Sequence, residues 1–445
     1  MTTFNVKLIG FTPNPQTLST AGALGCFEER SSTALFDELL GLDETARSAK
    51  ERTVLRNSFG RGHGSVGDQN CFIFSIENLP RLATFQLCLP EYLAHLQQSL
   101  RRAKASRGFY LSDAIKASRL ADKANAILLQ AFEFYEKAVK VGVPSEDARF
   151  LLPLGTRTNI QTSGNARELC HLWQMSQGKG VPLVVRAIVE DMILQTKLIA
   201  PYLFEDFGVN FESLAWSPAA QLYAPANATI RLLIDRHSAQ DGVIPLGWMS
   251  PFSNSQLTNI LDKAVGERSE AELANLKHLH FEFLAPMSLA CLHQAIRQRT
   301  WNQSLESIYD AINRALSFEN RGIVIPPSIK KFGLTKEYQK LHWLMLNLYK
   351  ELIDNGIPKS ESLDVVPHSL RIFDLLHING WNALHSIGKR TCLEAQWEIR
   401  GVAWSMAKYI KHTLPALGRW VEPQCITYGK CPEVKDCGYY QRVRT

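Results

Sequence analysis

Arginine is the residue of this chain that most plainly suits a ligand. Its planar guanidinium combines charge with two directed hydrogen bonds, which matches a phosphate or pyrophosphate. Arg297 and Arg299 flank Gln298 in Gln294-Ala-Ile-Arg-Gln-Arg, and Arg101, Arg149 and Arg390 stand apart in the sequence. A single arginine is as readily a surface ion pair. What singles these out is that the chain contains one pattern written twice, with the charged residues shared between the copies. Tyr135, Gly142, Pro144, Pro153, Arg157, Asn165, His171, Arg186, Lys197 and Pro201 recur at Tyr349, Gly356, Pro358, Pro367, Arg371, Asn379, His385, Arg400, Lys411 and Pro415, a constant shift of 214 (349 − 135). Upstream, Gln86 and Ser99 are matched by Gln294 and Ser307 at the same mutual distance. Where the second copy has Arg297 and Arg299, the first reads Leu89-Pro90-Glu91, which would repel a phosphate. Two residues past the shared serine, the first copy has Arg101 and the second Tyr309. Arg149 corresponds to Leu363 and Arg390 to Ser176, while Gln396 and Glu398 face Pro182 and Val184. Each copy lacks what the other keeps.

The elements that must hold these residues read as α+β: two homologous domains, each a small mixed or antiparallel sheet packed with long helices. Asn5-Val-Lys-Leu-Ile-Gly and Ala228-Thr-Ile-Arg-Leu-Leu-Ile are rich in residues suited to a pleated surface and are expected to open each copy as strands. Helical spacing of apolar residues over 112–140 ends at Gly142 and Pro144, and over 335–354 at Gly356 and Pro358. Residues 183–200 and 394–412 are expected as closing helices. The stretch 205–226, with Pro218 and Pro225, reads as the connection. The domains are thus expected at 1–210 and 227–445, with 211–226 as linker.

Length and composition agree. A chain of 445 residues supports two or three domains without staples. No apolar run approaches the ~18 residues of a membrane span, and the N-terminus has no charged segment followed by an apolar stretch and cleavage site. A soluble, cytoplasmic protein without membrane contact is the expectation. A net charge of +6 without a polybasic block permits an anionic ligand and gives no reason to expect nucleic acid.

The motifs carry a resemblance. Gly62-His63-Gly64-Ser65, followed by Phe72-Ile-Phe-Ser-Ile and Gln86 in the first copy, and Gln294-Ala-Ile-Arg297-Gln298-Arg299 with Ser307 in the second, resemble the flavin-dependent thymidylate synthases. The signature of that family is Gly-His-x-Ser, a strand, Gln-x-x-Arg-His-Arg and a downstream Ser-x-Arg. Glu146-Asp-Ala-Arg149-Phe-Leu-Leu-Pro153 with Asn165-Ala-Arg167, and Arg390-Thr-Cys-Leu-Glu-Ala-Gln396-Trp-Glu398-Ile-Arg400, are similar to two further blocks. The likeness runs through nearly the whole chain, although neither copy has the full set. It implies one-carbon transfer from methylenetetrahydrofolate to C5 of a pyrimidine nucleoside monophosphate, dUMP to dTMP, with FAD reduced by NADPH and no cysteine nucleophile.

The resemblance also implies a site shared between two domains. Gln294, Arg297 and Arg390 would meet Ser99, Arg101 and Arg149 around the nucleotide, with Arg390 at the pyrimidine and, with Ser99, in the catalytic set. His63, Ser65, Arg297, Arg299, Asn165, Arg167 and Asn379 would hold FAD. The reciprocal set, Leu89, Ser176, Tyr309 and Leu363, has almost no anion-binding capacity, so one working site per chain is expected, in a homodimer that rebuilds a four-domain assembly. Three departures stand out: Gln298 replaces the histidine between the arginines, the acidic residue beside the serine is displaced to Glu306, and the second copy lacks Gly-His-x-Ser. A diverged paralogue acting on another nucleotide, and a catalytically silent flavin- or nucleotide-binding protein, are the alternatives.

Nine scattered cysteines do not make a disulfide framework. Cys425, Cys431 and Cys437, with five residues intervening at each step, and Cys392 could hold structural zinc, but the spacing is not the paired Cys-x-x-Cys knuckle, so no metal is expected. His278, His280 and His293 read as packing or surface residues, and Trp381, Trp397 and Trp404 as core.

Overall fold

A computed structural model describes residues 4–205, 216–237, 242–318, 321–434 and 436–444. The connection expected at 205–226 lies partly outside the described residues. The chain forms two compact units, Met1–Pro225 with Pro327–Pro367, and Ala226–Pro326 with His368–Thr445. Packing therefore does not follow the sequence copies throughout: residues 327–367 of the second copy are built into the first unit.

The first unit contains an antiparallel sheet of β1 (Asn5–Phe11), β2 (Phe72–Pro80), β3 (Ala94–Gln97) and β4 (Arg157–Gly164), in the order β1-β2-β4-β3. Its long helix Ala121–Lys140 ends at Gly142, whose φ of +101° is cheap only for glycine, and the Val143 N–H closes the end on the Ala138 carbonyl at 3.0 Å. The helix Thr335–Asp354 ends in the same way at Gly356, φ +84°. These two repeat-related helices pack on each other inside this unit. Phe134 and Tyr338 meet edge to face at 5.9 Å, and Lys137 pairs with Glu337 at 2.7 Å. The buried Asp364 carboxylate accepts from the Ser112 N–H at 2.7 Å, and the Gly155 N–H donates to the Asp364 carbonyl at 2.9 Å. Such bonds between segments far apart in sequence anchor 327–367 in the first unit.

The second unit repeats the sheet with β5 (Ile244–Met249), β6 (His280–Ser288), β7 (Asn302–Leu305) and β8 (Arg371–Asn379), ordered β5-β6-β8-β7 and again antiparallel. The opening strand expected from Ala228 is instead the helix Ala228–His237. Its β-branched residues fall four apart: Ile230 and Ile234 are buried against Ile244, Leu284 and Phe373, while the Asn227 side chain accepts from the Ile230 N–H at 3.2 Å as a cap. That amphipathic face and cap outweigh local strand propensity, and the strand follows at Ile244.

On the other face of β8, Ile372, Asp374, Leu376 and Ile378 are buried. Neither carboxylate oxygen of Asp374 has a hydrogen-bond partner among the described residues, and burial pushes this carboxyl well above the usual carboxylate range. The folded state thus keeps a proton that the unfolded chain releases above a pH of about 4, so Asp374 makes stability fall as pH rises from there toward the folded-state value. Asp374→Asn is expected to remove this slope. Urea midpoints measured between pH 5 and pH 8 (roughly the interval over which most domains are stable) should fall less in the variant than in the parent.

Candidate active site

In the first unit the structure brings the early motifs into two clusters. The turn at Gly62 and His63, with the one-turn helix Gly64–Gly67 that follows it, meets the start of the helix Ala166–Ser176 around Asp68. The Asn165 amide donates to Asp68 at 3.0 Å and Arg167 Nη1 pairs with it at 3.2 Å, while Asn165 Oδ1 accepts the Glu168 N–H at 2.9 Å as the helix cap. A methyl group on Gly64 would lie 2.8 Å from Arg167 Nε, so glycine at this position lets the guanidinium lie against the loop. His63 and Ser65 are exposed beside it. Four of the residues expected at FAD therefore share one surface.

The second cluster follows β3. Ser99 Oγ accepts the Arg101 N–H at 3.2 Å within the turn, and Arg101 Nε donates to Glu146 at 2.7 Å. Arg149 is 3% exposed, and its Nε donates to the Glu146 carbonyl at 3.1 Å. One residue, Glu146, thus positions two arginines expected at the nucleotide, through its carboxylate and its backbone. Arg102 is exposed on the same turn.

In the second unit Gln294, Arg297, Gln298 and Arg299 form the end of the helix Leu289–Ala295 and the turn after it. Arg297 and Arg299 are exposed there and Arg390 is half-buried. With its amide oxygen turned to the guanidinium, Gln298 accepts from Arg390 Nε at 2.9 Å and Nη2 at 2.5 Å, and Nη2 also reaches the Gln294 carbonyl at 3.4 Å. The residue that departs from the family motif therefore helps to hold Arg390, its one amide oxygen accepting from two N–H groups of the guanidinium. Sequence reasoning recorded Gln298 as a departure and missed this role, because nothing local links residues 298 and 390. Asn379 accepts the Asn382 N–H at 2.8 Å, and Asn382 bonds the Thr300 hydroxyl at 2.7 Å and carbonyl at 2.8 Å, so Asn379 is tied to the turn that carries Arg299.

The remaining motif residues support the scaffold. Gln396 caps the helix Trp397–Thr413, accepting from the Glu398 and Ile399 N–H groups at 3.0 and 3.2 Å. Glu398 accepts from the Ser288 N–H at 2.7 Å and hydroxyl at 2.5 Å. Glu306 is held by Arg314 Nε and Nη2, both at 2.9 Å, and by the Phe373 N–H at 3.0 Å; burial nevertheless pushes its carboxyl up. At the neutral counterpart positions, Ser176, Tyr309 and Leu363 are all buried. Leu89, the neutral counterpart of Arg297, is half-buried.

Other expectations are revised. Trp381, Trp397 and Trp404 are half-buried, with Trp381 stacked on His385 at 5.1 Å and Lys411 over Trp404 at 5.4 Å, because each sits on the outer flank of its helix. His293 is buried against His368, and His280 Nδ1 lies 2.8 Å from His377 Nε2 across β6 and β8. No helix among the described residues is long and apolar enough to cross a membrane. No group of three or more metal-ligand side chains among them stands ready to hold an ion.

The family described as thymidylate synthase complementing protein matches residues 7–202 and again 234–416. The flavin-dependent thymidylate synthase of Geobacter sulfurreducens is 30% identical over 186 residues, 41% of this chain and 76% of that protein. The like-named proteins of Sulfurisphaera tokodaii and Pyrococcus abyssi are 34% and 33% identical, each over 38% of this chain and over 66% and 72% of their own lengths. Among solved structures, the UMP/dUMP methylase PolB from Streptomyces cacaoi bound with 5-Br dUMP is 19% identical with a TM-score of 0.39, covering 46% of this chain and 94% of that one. The two successive matches coincide with the two sheets. The chain belongs to the flavin-dependent thymidylate synthase family as a tandem duplicate, and by that membership is a thymidylate synthase-like methyltransferase.

Proposed function

We propose that this protein methylates C5 of a pyrimidine nucleoside monophosphate, dUMP to dTMP, with methylenetetrahydrofolate as one-carbon donor and NADPH as reductant, in one active site per chain assembled from the charged fragment of each copy. The observation that carries the reading is the complementary division of charge: Arg297, Arg299 and Arg390 stand in one copy where the other has Leu89, Glu91 and Ser176, and Arg101 and Arg149 stand in the other where the first-named copy has Tyr309 and Leu363. Bound FAD would supply the reducing equivalents. Its fit rests on the donors present: Arg167, Asn165, Ser65 and His63 on one surface, and Arg299 with Asn379 on the other turn, cationic and amide groups suited to a pyrophosphate and to a ring that gains negative charge on reduction.

In this reading Arg297 and Arg101 bind phosphate with Ser99 and Gln294, and Arg149 stands beside them. Glu146 holds Arg101 and Arg149 in place before substrate arrives, which lowers the ordering cost of binding. Arg390, fixed by Gln298, faces the pyrimidine and stabilises the negative charge that develops as C5 becomes nucleophilic. Two chains would pair to restore the four-domain arrangement. A second reading, a paralogue acting on another pyrimidine nucleotide, is favoured by Gln298 standing where the family has histidine. The test is reoxidation of reduced flavin in the purified protein with folate present. Acceleration by dUMP supports the first reading, and acceleration by a different pyrimidine monophosphate alone supports the second. Protein that takes up no flavin would overturn both.

A further inference from the structure

Four of the nine cysteines meet in one cavity of the second unit. Cys392, Cys425, Cys431 and Cys437 line it together, with Lys389 and Glu433 at its wall. Sequence proximity does not force this: the helix Trp397–Thr413 separates Cys392 from the others. The tail then folds back through Gly429 and Gly438, at φ +73° and +72°. Cys425, Cys431 and Cys437 also lie beyond residue 416, where the second match to the family ends. None of the four is in a disulfide. They differ from Cys170 and Cys291, which are single, fully buried cysteines of the core. Four thiols on one cavity are a complete ligand set for a thiophilic metal.

We propose that Cys392, Cys425, Cys431 and Cys437 ligate a metal centre through four thiolates. The thiols are not at single-ion spacing as they stand. A zinc ion, with Zn–S bonds of about 2.3 Å, would draw them inward. A four-iron, four-sulfide cluster, which takes each cysteine on a different iron, accepts four thiolates set further apart than a single zinc ion does. Lys389 offsets part of the excess negative charge of either centre. Because Cys392 lies two residues after Arg390, the centre would also tie the tail to the segment that carries this arginine.

The experiment uses the full chain, purified without oxygen and reconstituted separately with zinc, or with ferrous iron and sulfide, followed by metal and acid-labile sulfide analysis. The expected result is about one zinc or about four irons with matching sulfide per chain, the two arms identifying the metal. Cys431→Ser and Cys437→Ser should lose at least about tenfold of that content, and Cys26→Ser, an exposed cysteine of the other unit, none of it. Alkylation followed by mass spectrometry needs no variant: in the metal-loaded parent the four thiols should react at least about tenfold more slowly than after chelation, with Cys26 unchanged. Metal below about a tenth of an equivalent in both arms, or alkylation of the four thiols that chelation does not change, overturns the proposal.

Discussion

Arg297→Ala is expected to weaken pyrimidine monophosphate binding by about 2–4 kcal/mol, roughly 30- to 1,000-fold in Kd, and Arg101→Ala by a similar amount, because each removes a charge-assisted bond to a largely desolvated phosphate. The two losses have a further meaning, since the residues come from different copies of the repeat. If each copy held an independent site, either substitution would leave half of the binding capacity at the parent's affinity. With one shared site, either substitution weakens all of the binding. Titration calorimetry separates these outcomes, a biphasic isotherm with half the sites intact being the one that contradicts the reading. Arg102→Ala, on the same exposed turn as Arg101, should change Kd by less than about twofold.

The other large effect is expected at Arg390. Arg390→Ala should lower turnover about 100- to 1,000-fold, with a smaller effect on nucleotide binding, because the group acts on charge that develops during reaction. Arg390→Lys should not restore the rate, since an ammonium cannot make the two-point contact with Gln298. Gln298→Leu should cost part of the same turnover while leaving Arg390 in the chain, as expected for a positioning residue. Single-turnover flavin oxidation measures the three variants. Full activity in Gln298→Leu would show that the contact has no part in holding Arg390 for the reaction.

How far the molecule can be read from its sequence differs between residues. The duplication was legible because turn and cap residues keep their spacing: Gly142 and Gly356 both occupy helix ends at positive φ. The charge division was legible for the same reason, as fixed spacing pairs Arg101 with Tyr309 and Arg390 with Ser176. Residues 228–237 misled because β-branched residues suit a strand locally, whereas only the packing of Ile230 and Ile234 against β8 reveals a helix. That residues 327–367 belong to the first unit was hidden for a similar reason. The Ser112–Asp364 bond joins residues 252 positions apart, and no local pattern announces it. Gln298 looked like a lost histidine until its partner was known, and the four cysteines, spread from 392 to 437, show no motif before the tail folds back on itself.

The number of nucleotide molecules bound per chain tests the central claim most directly. Flavin-loaded protein titrated with dUMP should saturate at one equivalent per chain, and combining Arg297→Ala with Arg101→Ala should weaken that same single class of site. Saturation at two equivalent sites per chain would contradict the account, because the fragments left by the other combination of copies carry no arginine at the phosphate-binding positions.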